Sequence, residues 1–146
     1  MQEDKEIKAE SPAVQAHLAI MQSVIQRMAA NSASSKAWCI GLVSAILVIV
    51  ADKGKPNYAL LALIPTTLFL VLDAYYLALE RGFRAAYNSF VKKLHEGKVV
   101  AEDVYWVTPE GPLWKKWVCA LGSFSIWPFY IALFAMIWLA KELVIG

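Results

Sequence analysis

The sequence predicts an all-α membrane protein with three transmembrane helices per chain, an N-terminal cytoplasmic amphipathic helix ahead of them, and assembly into a helical oligomer. Three observations predict it. Of 146 residues, 59% are hydrophobic and only 18% charged, with a mean hydropathy of +0.49, whereas soluble domains carry about 25% charged residues. Three long apolar runs follow one another, at 37–51, 58–79 and 118–140. Ahead of the first lies a seven-residue apolar repeat set among polar residues, the pattern of a helix that packs on another helix.

The first eleven residues, opening Met1-Gln2-Glu3-Asp4-Lys5-Glu6, are read as a disordered acidic N-terminus. A secretory leader needs a basic start followed at once by an apolar core, so no leader is expected. Ser11-Pro12 is a cap followed by proline at the first helical position, and predicts a helix over 12–36 that continues into the first span. Its apolar residues Val14, Leu18, Met21, Ile25 and Met28 recur at intervals of four, three, four and three. Two partners suit that seam: the protein's own second helix, or another copy of the chain, which makes these five residues the candidate oligomerisation set.

A span needs roughly 20 apolar residues. Residues 37–51 fall short alone and suffice once Ser32 to Lys36 are added, the lysine reaching back toward the headgroups. Residues 52–57 are a short polar turn containing Gly54 and Pro56, so the first two spans form an antiparallel hairpin. The second span, 58–79, carries a helix-compatible pattern on to about Leu94. Within the connection 80–117, the stretch 96–112 reads as a loop or short hairpin lying against the headgroups. The third span, 118–140, holds no charge and is flanked by Trp114, Lys115, Lys116 and Trp117 on one side and Lys141 on the other, as interfacial anchors are. Eleven of the fourteen Lys and Arg fall on the side of the N-terminus and the long connection. This places the N-terminus in the cytoplasm and the C-terminus in the periplasm of a bacterial inner membrane.

Polar residues inside such runs are costly and mark function or helix pairing. Counting back from a hairpin turn at 54–55 sets Lys36 level with Asp73, and Arg27 roughly level with Glu80. Glu80 and Arg84 are also four apart in the favourable order. Two readings stay open: the charges lock the hairpin, or Asp73, with Glu80, Lys36 and Tyr76, lines a water-filled path between subunits. In the third span, Gly122, Ser123, Ser125, Trp127, Pro128 and Tyr130 suit either close helix packing or a gate.

A net charge of +2 gives no reason for general nucleic-acid binding. Cys39 and Cys119 sit in apolar runs as small hydrophobes. His17 and His95 stand alone, no phosphate loop or nucleophile elbow occurs, and neither enzymatic activity, metal nor cofactor is expected.

Three blocks carry a resemblance. They are His17-Leu18-Ala19-Ile20-Met21-Gln22 with Ile25-Gln26-Arg27-Met28-Ala29-Ala30-Asn31-Ser32; Leu72-Asp73-Ala74-Tyr75-Tyr76-Leu77 with Glu80-Arg81 and Phe83-Arg84; and Ser125-Ile126-Trp127-Pro128-Phe129-Tyr130. Together they resemble the small bacterial transmembrane effectors of antiphage defence, those of the Hailong type in particular. The resemblance implies an oligomeric ion channel, a homotetramer, that depolarises the membrane in abortive infection. It further implies gating by a nucleotide or oligonucleotide made by a partner nucleotidyltransferase. An anionic trigger would find Arg27, Arg81, Arg84, Lys92 and Lys93 on the cytoplasmic side. The alternative function is a non-conducting membrane anchor that recruits a soluble defence partner.

Overall fold

The structure, a computed structural model, describes residues 8–145, with side chains through residue 142. Of the acidic N-terminal segment, residues 1–7 lie outside the described residues. Residues 8–11 form a turn in which the Ser11 amide donates to the Lys8 carbonyl at 2.9 Å.

The Ser11 hydroxyl accepts the Val14 amide, Pro12 follows it, and helix α1 then runs unbroken over Pro12–Lys53. At 42 residues it is about 63 Å long. The predicted heptad helix and the first apolar run are therefore one rod. It stops at Gly54, whose φ of 60° is the left-handed cap conformation that glycine adopts without a Cβ penalty. Pro56–Ala62 is a 3₁₀ helix, and α2 spans Leu63–His95. Pro65 explains the change of geometry, because it has no amide to offer the Leu61 carbonyl and is tolerated only in the first α-helical turn. Two helical runs, Pro12–Lys53 and Pro56–His95, are long and apolar enough to cross a membrane.

The third run differs from the single helix predicted over 118–140. Helix α3 occupies Leu113–Leu121 and α4 occupies Trp127–Leu139, continued in π geometry over Ala140–Ile145. Hydropathy cannot detect the break because every residue across it is uncharged. Its cause is local: Gly122 ends α3, the Ser123 carbonyl accepts both the Ile126 and Trp127 amides, and Pro128 in the first turn of α4 lacks the donor that would join the two helices.

α3 packs against α2. At its start the Leu113 side chain meets Gly82 of α2, and just past its end the Ser123 hydroxyl accepts from Arg81 at 2.8 Å. Ala74, Ala78 and Gly82, four apart along α2, form a small-residue stripe that lets neighbouring chain approach closely; a Cβ on Gly82 would stand 2.7 Å from Pro109 Cβ.

There are two cores. One joins Cys39 and Val43 of α1, Ala74 and Leu77 of α2, Ala120 of α3, and Ile126, Tyr130 and Leu133 at and in α4. The other joins Val14 and Met21 of α1 and Phe90 of α2 to Val99 and Val104 of the 96–112 segment. That segment, expected as a loop or short hairpin, is a loop with one 3₁₀ turn over Ala101–Asp103, and it packs onto the α1–α2 pair because two apolar residues in it have a core to enter.

Candidate functional site

Ser32 and Lys36 are four apart on α1 and share one face. That face meets Asp73 of α2, whose carboxylate is fully buried. The Lys36 ammonium approaches Asp73 Oδ2 at 2.5 Å, and the Ser32 hydroxyl donates to Oδ1. Lys36 Nζ also donates to Ser32 Oγ at 3.3 Å, closing a three-residue network. The Tyr130 hydroxyl of α4 is the fourth group at this junction. It lies beside the Asp73 carboxylate, fully buried and without a hydrogen bond of ordinary geometry. One layer nearer the hairpin turn, Cys39 adjoins Thr66, whose hydroxyl donates to the Ala62 carbonyl at 2.7 Å.

This arrangement holds one ion pair with two hydroxyls beside it. Asp73 is acceptor-only when ionised, Lys36 supplies the compensating charge, and the two hydroxyls can each donate or accept. Among the described residues, no group of three His, Cys, Asp or Glu has metal-ligand spacing.

Of the residues expected at an intramembrane site, Lys36 and Asp73 therefore meet directly. Glu80 is mostly buried and pairs with Arg84 at 2.7 Å, its partner four residues on, with no ion pair to Arg27 among the described residues. Tyr76 is half-buried beside Asn31, Ser34, Ser35 and Trp38 in a shallow cleft of about 210 Å³.

The five candidate ligand-binding cations are not one cluster. Arg81 is tied to Ser123, Arg84 to Glu80, and Lys93 to Asp103 at 3.0 Å, while Arg27 and Lys92 are exposed and make no ion pair among the described residues. In the heptad set, Val14, Met21 and Ile25 are buried within the chain, and Leu18 and Met28 half-buried. The partner that covers the seam here is α2 with the 96–112 segment, the first of the two partners that the repeat allows.

A second polar centre was not legible in the sequence. His17, 1% exposed, packs against the Phe90 ring with centroids 4.4 Å apart and the planes tilted by 53°, and its Nδ1 accepts the Tyr105 amide at 2.9 Å. Tyr105 has a φ of 68°, an uncommon conformation for a non-glycine residue, and this hydrogen bond helps hold it. An accepting Nδ1 must be unprotonated, and burial pushes the His17 pKa below its ordinary value against the opposing field of Asp103. Burial raises the Asp103 pKa, but hydrogen bonds from Lys93 and the Val100 amide outweigh it and the net shift is downward. His17, Lys93 and Asp103 line a cleft of about 350 Å³ with Trp106 and Glu110.

Compared with protein-family models, curated proteins and solved structures, the chain matches none.

Proposed function

We propose that the chain is the protomer of an oligomeric ion channel of the bacterial inner membrane, with the Lys36–Asp73 pair as the latch of its closed state. Membrane insertion is supported by the outward faces of the apolar half, where Trp38, Val48, Ile64 and Leu68 are each more than 60% exposed. Water would not tolerate so wide an apolar girdle on a monomer. The single observation that carries the channel reading is the buried ion pair. A charged pair inside an apolar bundle adds little net stability over well-packed aliphatic residues, and its best-attested use is to fix register or to switch. Here it joins α1 to α2, with the α4 hydroxyl of Tyr130 poised at the same carboxylate. Small shifts of α4 would therefore be felt at the pair.

A chain of this size encloses no aqueous path alone, so conduction requires several copies, and the resemblance to defence effectors implies four. Because the heptad seam is covered within the chain, assembly uses the outward faces of the spans. The third crossing in this reading is α4 with its π-helical continuation. The trigger implied by the resemblance, a nucleotide or oligonucleotide made by a partner nucleotidyltransferase, would meet Arg27 and Lys92 first, since the other three candidate cations are already engaged. Depolarisation during phage infection is the expected consequence.

The alternative, a non-conducting anchor for a soluble defence partner, is favoured by the exposed aromatic pair Tyr105 and Trp106 on the cytoplasmic segment. Planar-bilayer recordings of the purified chain separate the two. The channel reading expects unitary conductance once the trigger is supplied; a silent bilayer with and without the partner's product would favour the anchor.

A further inference from the structure

We infer that the groove between α2 and α3 is a seat for one anionic phospholipid, its acyl chain lying along α2 and its phosphate resting on Lys115. This rests on the membrane reading above and not on conduction.

The groove has a volume of about 600 Å³, within the roughly 300–1,000 Å³ of ligand sites. Its floor is the stripe Leu68, Val71, Leu72 and Tyr75, one face of α2 at intervals of three, one and three. Its roof is α3, which contributes Leu113, Trp114 and Trp117. The Trp117 indole is fixed as a wall by donating to the Val71 carbonyl at 3.4 Å. Aliphatic and aromatic side chains alone line the space, so it suits a hydrocarbon chain running with the helix.

A cation stands beside one of the lining residues. The Lys115 ammonium stands 5.5 Å from the ring centroid of Trp114, a residue that lines the groove. Lys115 is exposed and makes no ion pair among the described residues, and no acidic residue lines the groove. An apolar slot with an unpaired lysine beside one of its tryptophans matches a ligand with a hydrocarbon tail and an anionic head, at the depth where aromatic residues and cations meet headgroups. A second copy of this chain would have to bring an acidic residue to Lys115 beside an apolar stripe, and the lipid meets both demands in one molecule.

The test is native mass spectrometry of the full chain, released from nanodiscs holding equal amounts of phosphatidylglycerol and phosphatidylcholine. One phosphatidylglycerol should be retained per protomer in preference to phosphatidylcholine by roughly fivefold, the effect of one cation near an anionic headgroup. Lys115→Gln should abolish that preference. Val71→Trp or Leu68→Trp, at positions exposed enough to accept the ring, should remove the tightly held lipid altogether. Equal retention of the two lipids by the wild type would overturn the proposal, as would a preference that survives Lys115→Gln. Loss of a dimer rather than of lipid in the Trp variants would assign the groove to a second copy and overturn it too. Release of the chain from membranes by alkaline carbonate would instead overturn the membrane reading on which the proposal stands.

Discussion

The two ends of the α1–α2 pair are built from the same two helices and packed by different rules. Toward the hairpin turn, the outward faces are apolar and the polar groups point inward, where Asp73 is closed off by Lys36, Ser32 and Tyr130. Toward the other end, Gln22, Arg27 and Lys92 face outward, and the interior is Val14, Met21 and Phe90 capped by an added segment. The first end needs no lid because α4 completes its core. The second has only two helices, and a two-helix pair cannot enclose a core, so residues 96–112 fold back and are held by the His17–Tyr105 hydrogen bond, the Lys93–Asp103 ion pair and the Glu110 amide on the Gly82 carbonyl. One pair of helices is thus closed in two ways, by a third helix over a buried ion pair at one end and by a folded-back segment over an apolar interior at the other.

The comparison breaks first at its most buried charge. Asp73→Ala should leave the Lys36 ammonium without its partner and cost about 3–5 kcal/mol of unfolding free energy, whereas Lys36→Met with Asp73→Leu should recover most of it. Denaturation in mixed micelles measures both. If the single and double variants lose equally, the pair is not what joins α1 to α2.

At the opposite end, His17→Ala should cost about 1–3 kcal/mol by leaving the Tyr105 amide without an acceptor, read as faster hydrogen exchange over residues 96–112. The wild type should show a related pH effect. Because burial holds the folded His17 pKa below its ordinary 6.5, the unfolded chain binds the proton first as pH falls through that value. Stability therefore declines with acidification below about 6.5 and is fully present above it. Exchange in α4 should not change over the same range. The downward shift of Asp103 adds a separate loss only near and below its ordinary 3.8.

Between the two ends, Gly82→Ala should cost about 1–3 kcal/mol by forcing Pro109 away from α2, and it should loosen both ends because α3 and the 96–112 segment both pass this point. The smallest effect is expected at the cap, where Ser11→Ala should cost about 1 kcal/mol, confined to the first turn of α1.

Local chemistry was the legible part of this fold. Ser11-Pro12 marks the start of α1, Gly54 its end, and the Glu80–Arg84 pair follows from spacing alone. The level count that set Lys36 opposite Asp73 works because a hairpin of two straight helices leaves one free parameter, the position of the turn. Ser32 was within reach by the same logic, being one turn from Lys36. What spacing could not show is where a third element would cross. The break at Gly122-Ser123 hides in uncharged sequence, and its partner Arg81 lies 42 residues away. Tyr130 joins the buried pair only because that break sets the height at which α4 begins. His17 gave no signal either, since its partner is a backbone amide 88 residues distant.

The most direct test of the latch is single-channel recording of Asp73→Asn, which keeps the shape of the side chain and removes its charge. The account predicts openings without any trigger and an unchanged preference among ions, because Asp73 sits inside the protomer and not on a pore wall. Altered selectivity with normal gating would contradict it, as would a variant that merely melts earlier and otherwise gates like the wild type.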